Sequence, residues 1–242
     1  MIVLLTDFGD SEHVGMMKGV ILAADSRAQI VDLTHAVPSH SVREGAWILL
    51  ESYRYFPRGG VFVGVVDPGV GGARQCVAVK TGNHFFVGPD NGLLYPAASA
   101  DGIKEVVVLP TEGASPTFHG RDVFARAAAE IDMKKSLRGL GAQGSLKGIL
   151  SFEQKGTSGE VVRIDRFGNV ITNIPAKSGQ AIFDVMMGKK RLKLPLFLSY
   201  DDAPDGKLFL VKGSAGTFEF SVRQGSAIDK ISVKVGQKIE IK

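Results

Sequence analysis

The sequence predicts two domains, an α/β domain followed by a smaller all-β barrel, and three observations carry that reading. Continuous apolar runs alternate with amphipathic segments as far as Ile131. Residues 137–156 then lose periodicity and turn to Gly, Ser, Gln and Lys. Beyond them, short strand-like runs follow one another with only Gly, Asp, Asn and Pro turns between. A length of 242 residues suits this division at about 100–200 residues per domain.

Ile2–Leu5 is an apolar run closed by Thr6-Asp7, a strand with no polar face. Val14, Met17, Val20, Ile21 and Ala24 recur at helical spacing, which makes His13–Ala24 a helix. Gln29–Leu33 is the next strand. Arg43–Phe56 is a second amphipathic helix, carrying the single tryptophan, Trp47, and stopped by Pro57-Arg58-Gly59-Gly60. Val61–Val66, Cys76–Val79, Phe85–Val87 and Glu105–Leu109 are strands, and Val123–Ile131 is a further helix. Buried runs alternating with helices predict a largely parallel sheet with helices on both faces. The expected division is an α/β domain over residues 1–145, a linker over 146–156, and a barrel over 157–242. Eight strands are expected in the barrel: Glu160–Ile164, Val170–Asn173, Ile182–Met186, Leu192–Leu196, Leu208–Val211, Thr217–Val222, Ile231–Val235 and Ile239–Ile241.

Composition excludes several classes. One cysteine, Cys76, cannot form an internal disulfide, which points to a reducing compartment and a cytoplasmic protein. No apolar run reaches the roughly 18–20 residues of a membrane helix, and the start MIVLLTDFGD reads as a strand and not a signal peptide. No membrane partner is expected. The formal charge of +4 is uneven, −1 over residues 1–156 and +5 over residues 157–242. The lysines of the second half are scattered, however, and the one cluster, Lys189, Lys190, Arg191 and Lys193, follows Gly188 as a hairpin tip would. No nucleic-acid partner is inferred. Five histidines and one cysteine show no metal-ligand spacing, so no metal site is expected.

In open α/β sheets, ligands bind beyond the carboxyl ends of strands. Three polar groups stand at such places: Thr6-Asp7-Phe8-Gly9-Asp10, the loop from Asp67 to Arg74, and Phe118-His119-Gly120-Arg121-Asp122. In the Asp67–Arg74 loop a carboxylate leaves a buried strand, three glycines permit tight turns, and a guanidinium follows seven residues later. It matches neither a phosphate-binding loop nor a dinucleotide fingerprint. Asp67 before Pro-Gly also suits a plain turn, and His119 before Gly a cap. The residues alone therefore define a two-domain protein with a polar pocket.

Five motifs taken in order go further. TDFG at Thr6–Gly9, VDPGVGG with its arginine from Val66 to Arg74, GPDNGLL at Gly88–Leu94, FHGRDVFA at Phe118–Ala125 and DRFGNVITNI at Asp165–Ile174 resemble one family. It is the S-adenosyl-L-methionine (SAM) hydroxide adenosyltransferases, adenosine-forming SAM hydrolases related to fluorinase and chlorinase. The resemblance implies an N-terminal α/β domain, a C-terminal barrel, and a homotrimer with SAM bound between neighbouring subunits. It implies the reaction SAM plus water giving adenosine and L-methionine, with no cofactor, SAM being the substrate. The family's catalytic Asp, Arg and His fall on Asp67, Arg74 and His119. Asp7 falls where the family holds the ribose hydroxyls, Asp165 where it meets the substrate amino group, and Phe167 where a ring stacks on adenine. Asn169 would read the adenine edge, Ser214 would hold the methionine carboxylate, and backbone near Gly225 would meet adenine.

The implied chemistry is coherent. A sulfonium is a built-in leaving group, so the protein has to place a water behind the 5′ carbon and polarise it, a contribution worth typically about 10²–10⁴-fold. Either His119 or Asp67 would accept the proton, with Arg74 favouring developing hydroxide. Related halogenases carry an aromatic residue at the position of Asp67 and Tyr-Ser at that of His119-Gly120, so halogenation is the disfavoured alternative on the same scaffold. The fluorinase tryptophan of the DRFGNVITNI region is Ile171 here, and the arginine after its binding serine is Ala215. A non-catalytic SAM- or adenosine-binding module is the other alternative, and it would not need the set Asp67, Arg74 and His119.

Overall fold

Five consecutive buried residues, Ile2–Thr6, form β1, and parallel partners flank it on both sides, β2 (Ile30–Thr34) and β3 (Val61–Val65). This arrangement comes from a computed structural model that describes residues 1–177 and 179–242. The chain divides into two units, Met1–Ser151 and Phe152–Lys242.

The sheet of the first unit continues with β4 (Cys76–Lys80), β5 (Phe85–Pro89), β6 (Glu105–Leu109) and β7 (Ala142–Gln143), in the order β2-β1-β3-β5-β4-β6-β7. The pairs from β2 to β5 are parallel, whereas β5–β4, β4–β6 and β6–β7 are antiparallel. The sheet is thus mixed and not largely parallel. The cause is a short connection: four residues, Thr81–His84, join β4 to β5, and a parallel crossover needs a dozen or more. That turn is tied down by Asp101, whose carboxylate accepts from the Asn83 and His84 backbone and from the Thr81 hydroxyl.

Helices cover both faces. Met17 and Ile21 of α1 (Glu12–Ala24) and Ala128 and Ile131 of α4 (Arg126–Lys134) cluster with Ile2, Leu4, Val61 and Val63. Side chains alternate along a strand, so Leu5 faces the other way. There α2 (Val42–Ser52) lies so close that a Cβ on Gly45 would come within 2.8 Å of Leu93 and 3.6 Å of Leu5. The second helix is shorter than its apolar pattern predicts because its last turn, Tyr53–Tyr55, tightens to a 3-10 turn. A helix over Tyr95–Ala100, α3, has six residues, too few for periodicity to reveal. The segment leading into α4, Gly120–Ala125, is a π-helical turn.

The expected linker is held at both ends. Asp90 accepts the backbone N–H of Lys147 (2.8 Å) and Gly148 (2.9 Å), and Arg43 donates to the Ser151 carbonyl. On the other side Glu160 accepts the Glu153 N–H, and Asn173 donates to the Glu153 carbonyl.

The second unit is a closed barrel of seven strands: β8 (Ser158–Ile164), β9 (Val170–Pro175), β10 (Ile182–Met187), β11 (Lys190–Phe197), β12 (Leu208–Lys212), β13 (Thr217–Val222) and β14 (Lys238–Ile241). They close in the order β10-β11-β12-β13-β9-β8-β14, around Val161, Val170, Phe183, Leu210, Phe218 and Phe220. The strand expected at Ile231–Val235 does not form. Lys230 and Ile231 both donate to the Ala227 carbonyl in a helical turn that delivers Ile231 to the core without a strand. Among the described residues no helix is long and apolar enough to cross a membrane.

Candidate active site

Both the parallel and the antiparallel strands of the sheet build the first site. Thr6 pairs with Val65, so Asp7 and Asp67 leave neighbouring parallel strands at the same edge. Because β4 runs antiparallel, with Cys76 opposite Pro89 at the end of β5, its beginning lies at that edge too. Arg74, two residues before Cys76, is thereby delivered beside Asp67. The connecting loop turns at Gly71, where φ is +75° and a Cβ would stand 2.3 Å from the Pro116 carbonyl oxygen. Only glycine allows the loop to lie against the segment that leads to His119.

Asp67, Arg74 and His119 meet. Arg74 Nε donates to both Asp67 carboxylate oxygens at 3.1 Å, and Nη2 donates to Oδ2 at 2.5 Å. The same Nη2 lies 2.8 Å from His119 Nδ1, and Nη1 donates to Cys76 Sγ at 2.9 Å. The side chains of Arg74 and Asp67 are 10% and 5% exposed, and His119 is 5% exposed, so these contacts operate away from bulk water. Burial works against the charge of Arg74, but hydrogen bonds and attraction from Asp67 outweigh it and raise its pKa. Burial and then the Arg74 charge lower the pKa of His119 and favour the neutral ring. Burial raises the pKa of Cys76, so it sits beside Arg74 as a neutral thiol. The segment before His119 is fixed by Asp122, which accepts from Arg121 and from the Ser115 N–H. The Arg121 hydrogen bond leads the effects that bring its pKa down to about 2.

Asp7, Asp67 and His119 share a cavity of about 290 Å³ with Phe8, His13 and His40. Asp7 Oδ2 accepts the His40 N–H at 2.8 Å, and His40 adopts φ = +67°, a conformation that costs a residue with a side chain. Thr6 anchors the turn by accepting the Phe8 N–H and bonding His35 Nδ1 at 2.9 Å. Phe8, His13 and Phe118 pack ring to ring at 4.8–5.9 Å. Sequence reasoning missed Phe8, His13, His40 and Cys76. Phe8 sits inside the TDFG motif, a usable signal, whereas Cys76 carries none.

The second unit has its own cavity, about 600 Å³, lined by Asp165, Phe167, Asn169, Tyr200, Gln224 and Gly225 among others. The turn between β8 and β9 places three of these. Asp165 Oδ1 accepts the N–H groups of Phe167 and Asn169, and Oδ2 accepts the Asn169 side-chain amide. Gly168, at φ = +80°, completes the turn. Phe167 is left 62% exposed, with the Arg166 guanidinium 4.7 Å from its ring. An exposed large aromatic beside a cavity is a surface available for stacking. Ser214 stands in the β12–β13 turn, where Gly216 donates to the Gly213 carbonyl, and is not part of this lining. Tyr200 and Gln224 were missed; no motif contains them.

A mixed α/β sheet with a buried acid–guanidinium–imidazole set at its strand ends, followed by a closed barrel with an exposed aromatic at its own cavity, defines a two-domain protein with a candidate ligand cavity in each unit. The chain belongs to the SAM hydroxide adenosyltransferase family: residues 2–141 match its N-terminal domain and residues 159–240 its C-terminal domain. It is 34% identical to the (R)-S-adenosyl-L-methionine hydrolase of Thermus thermophilus, over 98% of this chain and 97% of that one. Identity to the enzyme of the same name from Salinispora arenicola is 36%, over 98% and 95%. The crystal structure of a conserved protein from Thermotoga maritima superposes with a TM-score of 0.92 at 36% identity, over the whole of both chains. A fluorinase from Nocardia brasiliensis is further away, at 26% over 100% and 96%.

Proposed function

We propose that this protein hydrolyses SAM to adenosine and L-methionine, and that Asp67, Arg74 and His119 are its catalytic residues. The contact of Arg74 with both other members carries the reading. A water oxygen attacks the ribose 5′ carbon in line with the departing sulfur. The carbon–oxygen bond forms as the carbon–sulfur bond breaks, the sulfur keeps the electron pair as a neutral thioether, and the water proton is lost to a base.

Between the two candidate acceptors the geometry favours Asp67. His119 Nδ1 faces a group that only donates, so the neutral ring carries its proton on Nε2 and acts as a donor that orients the water. Arg74 stabilises the developing negative charge on oxygen within a buried setting. No metal or cofactor is invoked, because the sulfonium already supplies the leaving group.

Asp7 is assigned to the ribose hydroxyls, Phe167 to adenine stacking, and Asn169 and the Gly225 backbone to the adenine edge. Asp165 is assigned to the substrate amino group and Ser214 to the methionine carboxylate. The first-unit cavity, about 290 Å³, falls at the lower end of the range for ligand sites, which supports a substrate shared with a second surface. We infer a homotrimer in which neighbouring subunits complete each site. The single buried thiol, Cys76, supports a cytoplasmic location.

The alternative of halogenation is disfavoured by the Asp67 carboxylate, which would repel a halide stripped of water. A binding module without activity leaves the buried set of Asp67, Arg74 and His119 unexplained. Incubation with resolved R and S sulfonium epimers of SAM in ¹⁸O-labelled water tests the reading. Adenosine labelled at its 5′ oxygen, formed with methionine and faster from the R epimer, is the expected result. Intact SAM of both epimers, or a halogenated nucleoside when chloride or fluoride is present, would overturn it.

A further inference from the structure

Glu219 is a buried carboxyl that the hydrolytic set does not use. It lies on β13 and is 6% exposed. Alternation along that strand sends Phe218, Phe220 and Val222 into the barrel core and turns Glu219 outward, between Val211 of β12 and Ile171 of β9. A carboxyl in such company costs stability unless it is hydrogen-bonded. Its Oε1 accepts the Tyr200 hydroxyl at 2.6 Å and the Ser221 hydroxyl at 2.9 Å.

Tyr200 is the informative partner. It lies between β11 and β12, and its ring is about half exposed on the same 600 Å³ cavity as Phe167. One edge-on contact, to Phe209 at 6.4 Å, steadies the ring from the side. The hydroxyl bond to Glu219 fixes its far end. A ring held in place before the ligand arrives saves the ordering cost that a free side chain would incur on binding.

We propose that Glu219 is a positioning residue for substrate recognition, holding the Tyr200 ring through its hydroxyl as a pre-set wall of the cavity that Phe167 also lines, where the planar base of the substrate is taken. The inference rests on the reading of the substrate as an adenosyl compound. Phe167 is exposed, whereas the Tyr200 hydroxyl is anchored on Glu219.

The test uses the full-length protein, with steady-state SAM hydrolysis and calorimetric binding of adenosine. Tyr200→Phe keeps the ring and removes the hydroxyl, and Glu219→Leu removes the acceptor. Glu219→Gln keeps an acceptor oxygen at nearly constant volume. The first two should raise KM and the adenosine Kd by roughly three- to tenfold with kcat retained. The double variant should be no worse than either single one, and Glu219→Gln should restore most of the loss. If Glu219→Leu does not fold, Tyr200→Phe and Glu219→Gln decide the matter alone. A wild-type protein that cleaves SAM, with KM and Kd unmoved by Tyr200→Phe or with additive effects in the double variant, overturns this inference only. A wild-type protein that neither cleaves SAM nor binds adenosine overturns the functional reading and this inference with it.

Discussion

Arg74 Nη2 stands 2.8 Å from His119 Nδ1, and since a guanidinium only donates, that ring nitrogen is an acceptor. Burial and the neighbouring positive charge both lower the pKa of His119. Nitrogen-15 NMR of labelled protein should therefore show a neutral ring protonated on Nε2, titrating below the ordinary histidine value of about 6.5. A ring that titrates at or above that value would refute the assignment.

A stability trend follows with a definite sign. The folded state holds His119 neutral at pH values where the unfolded chain binds a proton, so the unfolded state takes up more protons as the pH falls below about 6.5. Stability from this group is complete above that point and declines as the pH drops toward the lowered folded value. Urea denaturation of wild type and His119→Asn between pH 5 and 8 checks it: the wild type should lose more stability toward pH 5 than the variant. Equal slopes would argue against a depressed histidine.

Asp67 and His119 should not be equally costly to replace. If Asp67 accepts the proton, Asp67→Asn removes the base while keeping the volume and one oxygen for Arg74. Its kcat should fall by about 10²–10⁴-fold. His119→Asn preserves an acceptor for Arg74 and removes only the orienting donor, so its loss should be smaller. Single-turnover rates at saturating SAM make the comparison, and the reverse order would return the proton to His119.

Gly71 offers a test of assembly separate from chemistry. An alanine there would adopt φ = +75° and place a methyl 2.3 Å from the Pro116 carbonyl. The loop carrying Asp67 and Arg74 would have to move away from the segment carrying His119. Gly71→Ala should abolish turnover while the barrel stays folded. Gly9→Ala is the matched control for backbone strain, with φ = +61° and no atom within 4 Å of the added methyl. Equal effects of the two would mean that strain alone, and not the close approach, matters at Gly71.

Much of this was legible in the residues, and what was not has a physical cause. The strand ends at Asp7 and Asp67 are visible because an apolar run must stop before a charge, and the change at residues 137–156 marks the passage to a barrel. Strand direction is not written in hydrophobicity, so the antiparallel β4, which brings Arg74 to Asp67, came only with the fold. Ile231 looked like a strand residue because burial alone sets its apolar character, and a helical turn buries it as well. His40 and Tyr200 act through partners distant in sequence, which no local pattern reports. Asp165 was read from resemblance as a substrate contact, and its hydrogen bonds within its own turn add a second demand on the same carboxylate.

That double demand can be separated by two substitutions. Asp165→Ala removes the acceptor for three N–H groups, those of the Phe167 and Asn169 backbone and the Asn169 amide. The loss should destabilise the barrel by about 1–3 kcal/mol and release Phe167 from its exposed position. Asp165→Asn keeps Oδ1 for the two backbone donors, and a flip of the Asn169 amide restores the third bond. Its thermal midpoint should therefore stay near wild type. What Asp165→Asn does remove is the negative charge, which the substrate amino group is proposed to meet. A raised KM for SAM with unchanged affinity for adenosine, which lacks that amino group, would assign the charge to the substrate. If adenosine binding weakened equally, Asp165 would serve only the turn that presents Phe167.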